Sequence, residues 1–115
     1  MRALEYFHAD AKEVIDSWSK KLRIRVLDQL RELELEQPAT RMKLWHGNGW
    51  KGFEISSSAA RVVGTLEDEK KVVVLHAFRK DSGKGKKTRQ QHVELIEQRH
   101  ARWLAQRSVP ARKLH

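Results

Sequence analysis

Lys71-Val72-Val73-Val74-Leu75-His76-Ala77-Phe78 is the stretch that decides the fold. An apolar, β-branched run with almost no polar alternation predicts a strand buried on both faces, the innermost of a sheet. It is entered from the polar turn Glu67-Asp68-Glu69-Lys70, which follows a second β-rich run over 61–66. Before that, residues 50–57 alternate, with Phe53 and Ile55 on one face and Glu54 and Ser56 on the other. Three strands joined by short polar connections predict an antiparallel meander. Residues 42–46 add an edge strand, joined through the Gly47-Asn48-Gly49 turn.

Upstream the period changes. Residues 3–7 predict a short opening strand with Leu4 and Tyr6 on one face, and Ala11, Val14, Ile15 and Trp18 mark a helix over 9–18. Ser19 is placed to cap a second helix over 20–36, whose Leu22, Val26, Leu30 and Leu33 form a core stripe, and Gln37-Pro38 stops it. Downstream, 80–88 is a loop, and 89–106 is a third helix turning Val93, Ile96, Trp103 and Leu104 inward. The expected fold is α+β: β-α-α, then an antiparallel β-meander, then a C-terminal helix, with helices packed on one sheet. One domain over 1–106 is expected, with a basic tail over 107–115.

The 115 residues suit one core built from two layers. With no cysteine, disulfides, thiolate metal sites and cysteine nucleophiles are excluded together. The first residues lack the apolar segment of a signal peptide, and no window offers about 18 uninterrupted apolar residues, so no membrane span is expected. The six histidines (His8, His46, His76, His92, His100, His115) show no HxxxH or HExxH spacing, and neither a metal nor another cofactor is expected. Such a chain is expected in the cytoplasm.

Charge is the strongest functional signal. From Arg79 to His115 stand eleven Lys/Arg against three Asp/Glu, so this third of the chain carries +8 of the net +9. Its densest part, Arg79-Lys80-Asp81-Ser82-Gly83-Lys84-Gly85-Lys86-Lys87, follows the buried strand directly. Cations among glycines at the rim of a packed scaffold suit RNA phosphates; a solvated tail is the alternative. In an antiparallel pair the start of one strand lies beside the end of the next, so Arg61 is expected to converge with Arg79 and Lys80. Arginines around one phosphate can stabilise a pentacovalent transition state, though Arg61 can equally lie along the sheet and pair with Glu54. His76 reads as a hydrogen-bonded core histidine and His92 as a surface residue. Trp18 and Trp103 read as packing, whereas Trp45 and Trp50, flanking the glycine turn, suit either base stacking or packing on the third helix.

The ordered set Lys43-Leu44, Gly49-Trp50-Lys51-Gly52-Phe53-Glu54-Ile55, Arg61-Val62-Val63, and His76-Ala77-Phe78-Arg79-Lys80 with Lys84 resembles the RelE/HigB superfamily of bacterial toxins. It is most similar to the phage-derived, RelE-like branch, with its pattern K-x-L, G-L-W-E-L-R, R-V-L-Y and H-G-F-x-K-K-x-x-K. The resemblance implies the toxin of a type II toxin–antitoxin pair, a metal-independent endonuclease that cuts mRNA in the ribosomal A site. The implied partners are the ribosome with its mRNA and a cognate antitoxin of helix-turn-helix type, through which operator DNA is bound. Arg61 and Lys80 match the catalytic positions, and Arg79, Lys84, Lys86, Lys87, Lys51 and Lys43 are the expected RNA contacts. The general base is open among Lys51, His46 and His92. The chain departs from the pattern at Ser56, where an arginine is expected, and at Gly64, where a tyrosine closes R-V-L-Y. Its only tyrosine is Tyr6, so no C-terminal tyrosine is present.

Overall fold

The computed structural model describes residues 1–37, 42–80 and 90–107. Its elements run β1 (Ala3–Tyr6), α1 (Ala9–Ser17), α2 (Lys20–Glu34), β2 (Met42–His46), β3 (Lys51–Ser57), β4 (Ala60–Thr65), β5 (Lys71–Arg79) and α3 (Gln90–Arg107). The fold is α+β, as the periodicity predicts. The five strands form one mixed sheet in the order β1-β5-β4-β3-β2. β2 to β5 are the antiparallel meander, and β1 adds in parallel to β5, with Leu4 opposite Val72 and Tyr6 opposite Val74. Strand β5 is thereby hydrogen-bonded on both edges.

Helices cover both faces of this sheet. On one side Ile15, Trp18, Leu22, Val26, Leu30 and Leu33 of α1 and α2 pack on Phe53, Ile55, Val62, Val72, Val74 and Ala77. On the other, Ile96 and Trp103 of α3 meet Val63, Val73, Leu75 and Phe78. This two-sided cover is why β5 reads as an unbroken apolar run: a strand with no wet face has no reason to alternate. The expected helix start holds as well, with the Ser19 hydroxyl accepting from Leu22 N–H at 3.3 Å.

The ladder between β4 and β5 slips by one residue. Val63 pairs with His76 but Gly64 with Val74, so Leu75 is an extra residue on β5. This β-bulge reverses the pleat beyond it. Val72, Val74 and Ala77 face α1 and α2, whereas Val73, Leu75, His76 and Phe78 face α3.

Candidate functional site

The face that turns toward α3 carries Arg61, the residue expected at the catalytic position. Paired residues of an antiparallel ladder share a face. Lys43 opposite Glu54, Ser56 opposite Arg61, and Arg61 opposite Phe78 therefore line one strip of the sheet. Val93 and Ile96 of α3 cover the neighbouring Trp45, Val63 and Phe78. Lys43 is exposed, and the Arg61 and Glu54 side chains are mostly covered, at 18% and 17% exposure.

Arg61 is held rigidly. The β3–β4 hairpin turns at Ser58, which takes the left-handed conformation at φ 54°, costing on the order of 1 kcal/mol for a residue with a Cβ. The Arg61 Nη1 donates to the carbonyls of Ser58 and Ala60, both at 2.8 Å, and Nε lies 3.5 Å from Glu54 Oε2. The side chain thus staples the turn and fixes its own guanidinium. Nη2 makes no hydrogen bond among the described residues.

The other expected site residues divide between the two faces. Lys80 ends β5, half-buried, with its N–H donating to the Ala59 carbonyl at 2.7 Å beside the Arg61 hairpin. Arg79 is exposed and pairs with Ala60, which packs under α1 and α2, so its pleat position is opposite to that of Arg61. Lys51 pairs with His46, and both alternate away from the Lys43–Glu54 pair, onto the α1–α2 side. Of the three candidate bases, only His92 lies on the Arg61 face. Lys84, Lys86 and Lys87 lie outside the described residues. Among the described residues no three His, Cys, Asp or Glu side chains gather as they would around a metal ion.

Behind this strip runs a hydrogen-bonded chain. Arg99 of α3 is 4% exposed, and its Nη2 donates to Asp10 Oδ2 of α1 at 2.6 Å. Its Nη1 donates to the Leu75 carbonyl at 2.9 Å and to His76 Nδ1 at 3.1 Å. His76 Nε2 sits 2.9 Å from His92 Nδ1, and the His92 ring stacks on Phe78 at 4.3 Å. Burial, the Arg99 charge and the neighbouring His92 push the His76 pKa down to about 4, so the ring is neutral near neutral pH. For Asp10 burial acts upward, but the Arg99 hydrogen bond and charge outweigh it and hold the carboxyl below its usual range. The core reading of His76 is correct. His92 is half-buried between Phe78 and His76, not on the surface, because the bulge at Leu75 brings His76 to its side of the sheet. Arg99 escaped the sequence reading, yet its place was visible: it lies three residues from Ile96 and four from Trp103, on the inward stripe of α3.

The tryptophans beside the glycine turn pack on α3. Trp50 stacks on His100 at 3.7 Å and 7°, and its Nε1 donates to Glu97 Oε1 at 2.8 Å. The Asn48 N–H donates to the other Glu97 oxygen at 2.9 Å, while His100 hydrogen-bonds Glu67 beyond β4. Trp45 is 8% exposed in the core. Trp45 is thus withdrawn from base stacking, and one face of Trp50 is taken by His100.

Residues 13–101 match the family model described as phage derived protein Gp49-like (DUF891). No curated protein is significantly similar to the chain. The family match covers β2 to β5, the second half of α1, all of α2 and the greater part of α3, including Arg61, Lys80, His76, His92 and Arg99. On that extent, the chain belongs to the phage-derived Gp49-like protein family.

Proposed function

We propose that the protein is the toxin of a type II toxin–antitoxin pair and acts as a ribosome-dependent, metal-independent mRNA endonuclease. The family it belongs to is in general of the RelE/HigB-like toxin kind. The observation that carries the reading is the immobilised Arg61 guanidinium on a polar strip of the sheet, beside the strand end at Lys80.

In this reading a ribose 2′-oxygen attacks the adjacent phosphorus. The P–O5′ bond breaks, and the products are a 2′,3′-cyclic phosphate and a 5′-hydroxyl. Negative charge builds on the non-bridging oxygens, where Arg61 Nη2 offers two N–H donors that need no reorganisation. Lys80 adds a point charge, Lys43 holds the RNA backbone on the same strip, and the lysines at 84, 86 and 87 extend the contact. Lys51 and Arg79, from the opposite pleat, serve the ribosomal or antitoxin surface. Action on the ribosome places the protein in the cytoplasm, and the antitoxin carries the contact with operator DNA.

Removing the guanidinium is expected to cost about 3 kcal/mol in the barrier, roughly a hundredfold in rate. The test is induced expression without the antitoxin, scoring growth arrest and mapping mRNA ends for wild type, Arg61→Ala and Arg61→Lys. Both variants should lose arrest, since an ammonium cannot reproduce the fork. An Arg61→Ala protein that arrests growth with wild-type cut sites would refute the assignment.

The second reading is a non-catalytic basic module that binds RNA or the antitoxin. It is favoured by Glu54, whose carboxylate already faces Arg61, and by Ser56 in place of an arginine. RNA binding by wild type without new mRNA ends would decide for it.

A further inference from the structure

Arg99 is buried, and the Asp10 carboxylate that meets its charge at one end is 44% exposed. Arginine has donors only, so His76 Nδ1 must accept from Arg99 and the His76 proton must lie on Nε2. That Nε2–H then donates to His92 Nδ1, which leaves the proton of a neutral His92 on its own Nε2. Order therefore runs one way, from Asp10 through Arg99 and His76 to His92. The Leu75 carbonyl pins Arg99 from the bulge itself. The His92 ring at the far end lies on Phe78, the register partner of Arg61.

We propose that Asp10, Arg99 and His76 are positioning residues that hold His92 in its Nε2–H tautomer, so that its ring donates a hydrogen bond to the scissile phosphate beside Arg61. The inference rests on the nuclease reading above. In it, His92 is the catalytic residue and the other three act through it. A second proton on His92 would set its Nδ1–H against the His76 Nε2–H, so the relay also opposes the charged ring. His92 thereby serves as a neutral donor and not as the general base.

The discriminating variants are His76→Gln and His76→Leu. Glutamine can accept from Arg99 and donate to His92; leucine can do neither. Full-length protein labelled with ¹⁵N-histidine is examined by long-range proton–nitrogen correlation near neutral pH, and the same samples are assayed for cleavage on mRNA-programmed ribosomes. Wild type and His76→Gln should show His92 with its proton on Nε2 and cleave comparably. In His76→Leu, His92 should populate both tautomers, and kcat should fall roughly tenfold or more with KM little changed. Should His76→Leu fail to fold, Arg99→Lys carries the test, since one ammonium cannot serve Asp10, Leu75 and His76 together. A His92 tautomer indifferent to these changes, with wild-type cleavage intact, overturns the relay. Tautomers as expected but no mRNA cleavage by wild type overturns the nuclease reading instead, and with it the phosphate contact.

Discussion

Acidification should weaken this fold through His76 before it reaches the carboxylates. The ring is 7% exposed, and its folded pKa is pushed down to about 4 from an ordinary value of 6.5. The groups facing it are Arg99 and His92 of α3, Asp10 of α1 and His8 just before α1; of these, only Asp10 favours the charged ring. Because the folded pKa is depressed, the unfolded chain takes up its proton near pH 6.5 while the folded chain waits until about pH 4. Between those values the unfolded state binds more protons, so stability falls as pH falls. The contribution is complete above about pH 6.5 and lost below about pH 4, and the gap corresponds to at most about 3 kcal/mol. Asp10 shifts downward from a lower starting value, so its own loss begins only at more acid pH. The assay is urea unfolding followed by tryptophan fluorescence, at fixed ionic strength from about pH 7 to about pH 4, for wild type and His76→Gln. The background rise in positive charge is common to both proteins and cancels in the difference. Wild type should lose about 2–3 kcal/mol more than the variant across this window, so the two stability curves converge toward acid pH. Parallel curves would show that His76 does not titrate between folded and unfolded states as argued.

Other positions give separable outcomes. A Cβ at Gly64 would stand 2.1 Å from the Val73 carbonyl oxygen and 2.5 Å from the Phe53 ring; Gly64→Ala should cost about 2 kcal/mol or more in urea unfolding, and an unchanged midpoint would contradict the packing. Glu97→Ala removes the acceptor of both Trp50 Nε1 and the Asn48 N–H; a loss of about 1–3 kcal/mol with altered tryptophan fluorescence is expected, and neither change would mean that the hairpin is held otherwise. Replacing Lys84, Lys86 and Lys87 together by Ala should reduce the logarithmic salt slope of RNA binding by about 2, since each neutralised single-strand phosphate releases roughly 0.7 counterion. A slope equal to wild type would assign those lysines to solvent.

Element order and the core stripes were legible because each rests on a local period. Leu22, Val26, Leu30 and Leu33 repeat with the helix, and Phe53 and Ile55 alternate with the pleat. The parallel return of β1 to β5 and the placing of α3 opposite α1 and α2 were not legible. Both depend on which apolar faces find each other, and no local period records that. The bulge was equally silent. Regular alternation from Val72 would put His76 under α1 and α2; one extra residue sends it to α3 and Ala77 in its place. The site divides in the same way. Arg61 beside the end of β5 follows from antiparallel pairing alone, whereas the contact between His76 and His92 needs a register slip that no residue announces.

That register also weighs the departures at Ser56 and Gly64 from the toxin pattern differently. Position 64 pairs with Val74 and lies under the Phe53 ring, on the α1–α2 side of the sheet. A tyrosine there would point away from Arg61, so Gly64 alters the core and leaves the polar strip as it is. Ser56 is another matter, because it pairs directly with Arg61 on the strip itself. An arginine at 56 would bring a second guanidinium beside the first, and Glu54, two residues along on the same face, would then be shared between two cations. With serine, Glu54 faces Arg61 alone and offsets more of its charge. Ser56→Arg is therefore the substitution that should raise cleavage if the strip is the nuclease site, whereas Gly64→Tyr should only unfold the protein. The reverse pattern would place the chemistry on the other face of the sheet.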